Sequence, residues 1–424
     1  MLWLKILIGI ILVIILILMI PVGVRAEYNE DILVELKIGF VTIKLYPPKP
    51  KKPKKEKKKK KKKKGGGFFG RLIRRFFLVL FTVVLLAAAA LVLVLNMAFN
   101  GPSPAMQEVI TMSLIEASAT KWVPALFIGE ERVAEIRTSV NQELPQEVSN
   151  STSVVIQKGS ALSASNDEWA NYPDGIRIER VSGDTYNAHV MIVRDPSTVY
   201  MGTSSPAYST AIPGKRITEM MEATPEAIAA VNAGAFFDDG TANSTVGSYP
   251  LGLVVSEGRT AWESGKQPGL EGFAGFNNEN ILVVSQKNLS KKEAEALNIR
   301  DGCCFGPVLL MDGDVNLEAY NNNSGFNPRT AIGQRADGAV IFVCIDGRQV
   351  GSPGGTYADI INIMVEFGAV NACNMDGGSS SVMMYRDERG LFGEAGATTM
   401  INNYSLLQSQ PRRMPNFWVV RKAN

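Results

Sequence analysis

Hydrophobic and polar positions divide this chain into regions of different pattern. Two runs, 6–22 and 76–95, are almost wholly apolar and carry no charge. At about 1.5 Å rise per residue the second is long enough to cross the roughly 30 Å of a bilayer's hydrocarbon. The first is shorter and ends in Pro21-Val22-Gly23-Val24-Arg25-Ala26, so a cleaved secretory signal is its rival reading. Against that rival, Lys5 alone is a poor basic leader and Val24-Arg25-Ala26 only loosely resembles a cleavage site. Membrane helices are therefore expected over 1–22 and 76–98. Between them, residues 31–46 alternate apolar with polar and predict two small strands.

Beyond the second run the pattern changes to helical spacing. Val109, Met112, Leu114 and Ile115, then Val123, Leu126 and Phe127, predict one or two helices over 99–137, a stalk or equally a small packed hairpin. Residues 138–170, rich in Ser, Asn, Gln and Glu, read as a polar linker. From 171 to 424 short apolar runs recur between Gly, Asp and Asn turns. They predict strands near 175–181, 189–193, 227–231, 252–255, 281–284, 308–311, 339–345, 370–374, 381–385 and 417–420. Helices are predicted at 215–223, 291–297 and 357–367. Many strands with few helices imply an α+β domain on a mixed sheet, preceded by two transmembrane helices and a stalk.

Charge sharpens this division. Residues 51–64 hold twelve Lys with one Glu and one Pro, and Arg71, Arg74 and Arg75 follow. A run this dense repels itself, and beside apolar helices it suits anionic lipid headgroups, so the Lys-rich loop 23–75 is expected on the cytoplasmic side with the membrane as its partner. Residues 1–100 carry 20 basic against 5 acidic side chains, leaving 24 against 36 in the remainder. The large domain is thus acidic, near −12, although the whole chain is +3. That balance excludes nucleic acid as its expected ligand.

Candidate chemistry narrows by what is missing. The lone histidine, His189, sits in an alternating strand, which leaves no Ser-His-Asp or Cys-His device. No phosphate-binding glycine loop or zinc spacing occurs either, so any acid, base or nucleophile should be a carboxylate. Cys303, Cys304, Cys344 and Cys373 are expected as small buried hydrophobes, with a disulfide between the strands of Cys344 and Cys373 as the alternative. Asn232, Asp238 with Asp239, Asp346 and Asp376 each stand at or near the end of an apolar run, beside Gly or small residues. Asp376 stands out, because two glycines and three serines after it make a costly turn unless something must approach closely. Arg329 supplies a forked cation suited to phosphate or carboxylate.

Together these stretches resemble a known family. AAVNAGAFFDDG, PLGLVV, CCFGPVLLMDG, NPRTAIGQRADG, FVCIDGRQ and AVNACNMDGGSSSVMMY, in this order across about 174–420, are similar to the phosphodiester glycosidases. Bacterial members are often labelled exopolysaccharide biosynthesis proteins, and a membrane helix with a stalk before the domain looks like those of Gram-positive bacteria. Ala233 and Ala235, around Gly234, depart from relatives with more glycine in that turn. The first 65 residues lie outside the resemblance and look like the start of a small membrane protein of spore-forming bacteria, which implies a fusion or an overextended reading frame.

The resemblance implies a membrane-anchored, extracellular hydrolase acting on a sugar-1-phosphodiester of a cell-surface or secreted glycopolymer. Because the departing phosphate monoester is a good leaving group, strong general-acid help is less necessary than in ordinary glycosidases. Arg329 is then the expected phosphate clamp, with Ser379, Ser380 and the Gly377-Gly378 backbone as added donors. Asp376 and Asp346 share the roles of base or nucleophile and of stabilising oxocarbenium-like charge. Asn232 should hydrogen-bond a sugar hydroxyl, and Gly234, Asn327, Thr330 and Asn374 complete the expected substrate-binding set. No cofactor is fixed by the resemblance, and a divalent cation held by Asp346 and Asp376 stays open. The alternative is a non-catalytic carbohydrate-binding or envelope-assembly module using the same cluster.

Overall fold

A computed structural model describes residues 22–29, 31–38, 41–44, 68–115, 120–138, 146–150, 152, 154, 168–209, 211–237, 246–265, 271–392, 394–403 and 410–422. The expected membrane segment up to residue 21, the Lys run at 51–64 and Asp238 with Asp239 lie outside them. The chain divides into two compact units, Met1–Met97 and Ala98–Asn424.

The first unit holds β1 (Val22–Asn29), β2 (Asp31–Ile38) and β3 (Val41–Lys44), an antiparallel sheet in that order. Two strands were expected from residue 31 onward. The third comes from Val22–Asn29, where Val22, Val24, Ala26 and Tyr28 alternate with Gly23, Arg25, Glu27 and Asn29 in the period of a strand. Helix α1 (Phe68–Asn100) follows. Its apolar part, Arg75–Asn100, is 26 residues long and unburied along its most apolar stretch, and among the described residues no other helix is long and apolar enough to cross a membrane.

The second unit begins with α2 (Pro104–Ile115) and α3 (Val123–Thr138), two helices within the 99–137 region where one or two were expected. Then come β4 (Ile176–Ser182), β5 (Asn187–Val193), β6 (Val199–Thr203), α4 (Ile217–Ala223) and β7 (Ala227–Asn232). These lead to β8 (Leu253–Ser256), β9 (Arg259–Glu263), β10 (Phe273–Asn277), β11 (Leu282–Ser285), α5 (Lys291–Ala296) and β12 (Ile299–Cys304). Next are β13 (Val308–Met311), β14 (Asp314–Val315), α6 (Leu317–Asn321), β15 (Arg329–Arg335) and β16 (Val340–Ile345). The last are α7 (Tyr357–Glu366), β17 (Ala369–Met375), β18 (Met383–Asp387), β19 (Ala397–Met400) and β20 (Asn416–Arg421).

These strands form three sheets, ordered β14-β13-β17-β15-β16-β5-β4, β19-β18-β7-β20-β6 and β11-β10-β12-β8-β9. Every described pairing is antiparallel, so the domain is α+β as expected but the expected mixed sheet is corrected. The reason lies in β15. It separates β16 and β17, which α7 connects and which run the same way, so the two like-directed strands never pair.

The three sheets share one core, into which Ile332, Phe342, Trp418, Phe276 and Val231 project. The opposite face of the long sheet is covered by α7 through Ile360, Ile363 and Met364 against Ile341, Val343 and Ile345. Buried on both faces, β16 reads Val-Ile-Phe-Val-Cys-Ile without a polar break. Part of the expected linker also joins this body. Val148 bridges Ser285 beside β11, and the Ser149 amide donates to the Val284 carbonyl at 2.9 Å.

The four cysteines are buried and unbridged, and β15 stands between the strands of Cys344 and Cys373. Burial pushes the Cys304 thiol up to about 12 and raises the other three as well. A polar thiol reagent should therefore leave the folded protein unmodified and find all four thiols after denaturation. Rapid labelling of the folded protein would contradict this burial.

Candidate functional site

The crossover through α7 brings the C-terminal ends of β16 and β17 to either side of the start of β15. In register, Arg329 faces Ile345 and Thr330 faces Met375, so Asp346, Asp376 and Arg329 leave the sheet at one end. Pro328 is wedged between the two glycine turns there. A Cβ on Gly347 would lie 2.5 Å from the Pro328 nitrogen, and one on Gly377 would lie 2.8 Å from its carbonyl oxygen. The same oxygen accepts from the Gly378 amide at 2.8 Å. The closeness of approach expected at Gly377-Gly378 is thus met first by the protein's own chain.

Asn232, at the end of β7, ties the second sheet to this point. Its Oδ1 accepts from the Thr330 hydroxyl at 2.9 Å and the Val382 amide at 3.0 Å, while its Nδ2 donates to the Asp376 carbonyl at 2.6 Å. Asn232, expected at a sugar hydroxyl, is fully buried, and its side-chain amide holds the Asp376 carbonyl from behind. Thr330→Val keeps shape but removes the donor. It should cost about 1 kcal/mol by chemical denaturation, and an unchanged midpoint would show the bond to be dispensable. Gly234 also serves packing, since a Cβ there would lie 2.9 Å from Cys303 and its amide donates to Asn416 Oδ1 at 2.8 Å.

Arg329 departs furthest from expectation. It is 2% exposed; Nε donates to the Gly355 carbonyl at 3.1 Å, and the NH2 nitrogen donates to Ser324 and Gly325 carbonyls at 2.8 and 3.1 Å. Its guanidinium carbon sits 4.3 Å from the centre of the Tyr357 ring. This fork braces the backbone entering β15, so the expected phosphate clamp lies buried among carbonyls rather than on the exposed face of the turn.

Two other arginines reach the turn. The Arg348 guanidinium lies against Gly378, 3.0 Å from where a Cβ would stand, and Arg348 holds φ 57, a left-handed conformation unusual for a side chain of this size. The Arg412 NH1 nitrogen donates to Ser379 Oγ at 3.4 Å, with its guanidinium 4.7 Å above the Phe236 ring. Both are partly exposed, as are Asp376, Gly377 and Ser379. Sequence reasoning missed them, although Arg348 lies inside the quoted FVCIDGRQ and Arg412 in Pro411-Arg412-Arg413.

Asp346 points elsewhere. At 1% exposure its carboxylate accepts from the Asn403 amide and from Asn403 Nδ2, both at 2.9 Å, with His189 Nε2 3.8 Å away. The residue expected as catalytic carboxylate or cation ligand is thus a buried anchor for residue 403 in this structure. Among the described residues no group of three or more His, Cys, Asp or Glu is arranged for a metal ion.

Asn327, Asn374 and Ser380 are likewise buried beneath the turn rather than displayed. Asn374 Nδ2 donates to the Gly306 carbonyl at 3.0 Å. The Asn327 side-chain amide and the Ser380 hydroxyl have no hydrogen-bond partner among the described residues. After Phe236 in sequence, the Phe237 ring is 41% exposed and stacks on Tyr249 at 5.3 Å.

Comparison with known proteins bears on these motifs. Residues 225–421 match the family of phosphodiester glycosidases. A prophage-derived uncharacterised protein, YomE, of Bacillus subtilis (strain 168) is 24% identical over 192 residues, covering 44% of this chain. The match spans only 27% of that relative's length. Among solved structures, the catalytic domain of zebrafish N-acetylglucosamine-1-phosphodiester alpha-N-acetylglucosaminidase, auto-inhibited by its pro-peptide, is 19% identical with a TM-score of 0.45. That match covers 60% of this chain and 85% of the zebrafish chain. A hypothetical protein from Synechocystis is 17% identical with a TM-score of 0.38, covering 58% of this chain and 61% of that one.

Proposed function

Because residues 225–421 match the phosphodiester glycosidase family, we propose that this chain hydrolyses the sugar–phosphate bond of a sugar-1-phosphodiester. One observation carries this reading: Asp376 is partly exposed on a glycine turn between two partly exposed arginines, Arg348 and Arg412. The arginines hold the phosphodiester anion, Arg348 along the Gly378 side and Arg412 from the Ser379 side. Asp376 acts at the anomeric carbon as base toward water or as nucleophile. The bond from that carbon to the bridging oxygen breaks, and its electron pair leaves with the phosphate monoester. Phe237 offers a face on which a pyranose ring stacks.

For the setting, α1 anchors the chain in a membrane. The dense positive charge before it favours a cytoplasmic side for 23–75, which places the acidic remainder outside, toward a glycopolymer of the cell envelope. The first apolar run, 1–22, serves as a second span. Incubating the purified full chain with a panel of sugar-1-phosphodiesters and assaying free sugar tests the activity. Release from at least one is expected. Tight binding without release would favour a binding module instead.

A further inference from the structure

Helix α2 lies against the loop that leads into the site. Asn323 Nδ2 donates to Glu108 Oε2 at 2.8 Å, and the Phe326 amide donates to Ser113 Oγ at 2.9 Å. The same Ser113 hydroxyl donates to the Val109 carbonyl at 2.7 Å, which fixes its lone pairs toward the loop. Between these bonds Gly325 has φ 73, and a Cβ there would lie 2.4 Å from the Ser113 nitrogen. No other residue type fits that approach without moving helix or loop.

On its inner side the same loop is held by the site's own scaffold. Ser324 Oγ accepts from the Tyr357 amide at 2.8 Å, and the Ser324 and Gly325 carbonyls take the Arg329 guanidinium. Asn327 then pairs with Gly355 through bonds of 3.2 and 3.0 Å, and Pro328 receives the Gly378 amide. Only Asn327 separates Phe326, bonded to α2, from Pro328, bonded to the turn that carries Asp376. Phe326 itself is 38% exposed, so polar bonds rather than apolar burial hold this end of the loop.

We propose that α2 is a positioning element of the site: Glu108 and Ser113 hold the 323–326 loop, and through Pro328 they set the Gly377-Gly378 turn beside Asp376 and Arg348. The assignment of that turn as the reacting site rests on the proposed function, whereas the mechanical link from α2 to the turn does not. A net hydrogen bond shifts a local equilibrium by about fivefold, so losing two loosens the loop by roughly tenfold or more. Small displacements of positioning groups cost up to about 10²-fold in rate, so such loosening registers at the turn.

Hydrogen exchange on the full chain in detergent micelles tests the link. The double variant Glu108→Ala with Ser113→Ala should exchange roughly tenfold faster than the unaltered protein over 322–329, and also over 376–382, which α2 does not touch in any hydrogen bond described. Strand β16, residues 340–345, should stay protected as the internal control. Glu108→Gln, which keeps an acceptor for Asn323, should behave as the unaltered protein. Should the double variant not fold, Ser113→Ala alone gives the same comparison at about fivefold. Faster exchange confined to 322–326, no change in either segment, or equal loosening of 340–345 would each overturn the proposal. Where a sugar-1-phosphodiester is turned over, kcat should fall about tenfold with KM moving less than about twofold. Absence of turnover in the unaltered protein would count against the proposed activity and leave the exchange result standing.

Discussion

Asp376→Asn should lower hydrolysis of a sugar-1-phosphodiester by on the order of 10²-fold or more while leaving the fold in place. The substitution nearly preserves volume but removes the ionised carboxylate, so it cannot serve as base or nucleophile at the anomeric carbon. Geometry should survive, because the residue is positioned through its backbone. Its carbonyl accepts from Asn232 Nδ2 at 2.6 Å and its amide donates to the Ala233 carbonyl at 3.0 Å. The loss should therefore fall on kcat, with KM and the thermal midpoint nearly unchanged. A folded variant turning over at close to the original rate would remove Asp376 from the mechanism.

Arg348→Lys should have the next largest effect, a fall of roughly 10- to 100-fold in kcat/KM. Both side chains are cationic and both would have to adopt the left-handed backbone seen at φ 57, so charge and strain are held constant. What changes is the planar fork, which matches two phosphate oxygens where an ammonium presents a point charge. Arg329→Lys provides the contrast. That guanidinium is buried against three backbone carbonyls, so its replacement should lower stability and affect kinetics only through the fold. Steady-state kinetics beside denaturant melts separates the two arginines. Equal kinetic losses with equal destabilisation would mean that Arg348 is structural too.

Much of the scaffold was legible because burial leaves a periodic trace. Ten strands, including β16 with its unbroken apolar run, and the capped helices α5 and α7 lie where the pattern places them. Strands β10 and β12 escaped because glycine and charge interrupt them: Phe-Ala-Gly-Phe-Asn and Ile-Arg-Asp-Gly-Cys-Cys carry no clean alternation. Sheet order left no local trace either. That β15 separates β16 from β17 is a tertiary fact, and it decides both the antiparallel pairing and the convergence of the strand ends.

The site shows the same limit. Asp376 stood out through an expensive turn, a local feature, and the structure leaves it partly exposed there. Arg329 and Asn232 stood in equally suggestive motifs, but which way a side chain turns depends on neighbours distant in sequence. For Arg329 those are the carbonyls of 324, 325 and 355, and for Asn232 they are Thr330, Asp376 and Val382. Asp346 was drawn inward by Asn403 in the same way. Arg412 had no motif to announce it; its place over Phe236 and beside Ser379 follows from the chain returning after β19.

The central claim concerns which bond breaks, and isotope incorporation reads it directly. The full chain is incubated with a sugar-1-phosphodiester in water enriched in oxygen-18, and both products are weighed by mass spectrometry. Attack at the anomeric carbon predicts the heavy oxygen in the free sugar and none in the phosphate monoester. Heavy oxygen in the phosphate product would mean cleavage at phosphorus and would contradict the assignment of Asp376 and its two arginines to a glycosidase.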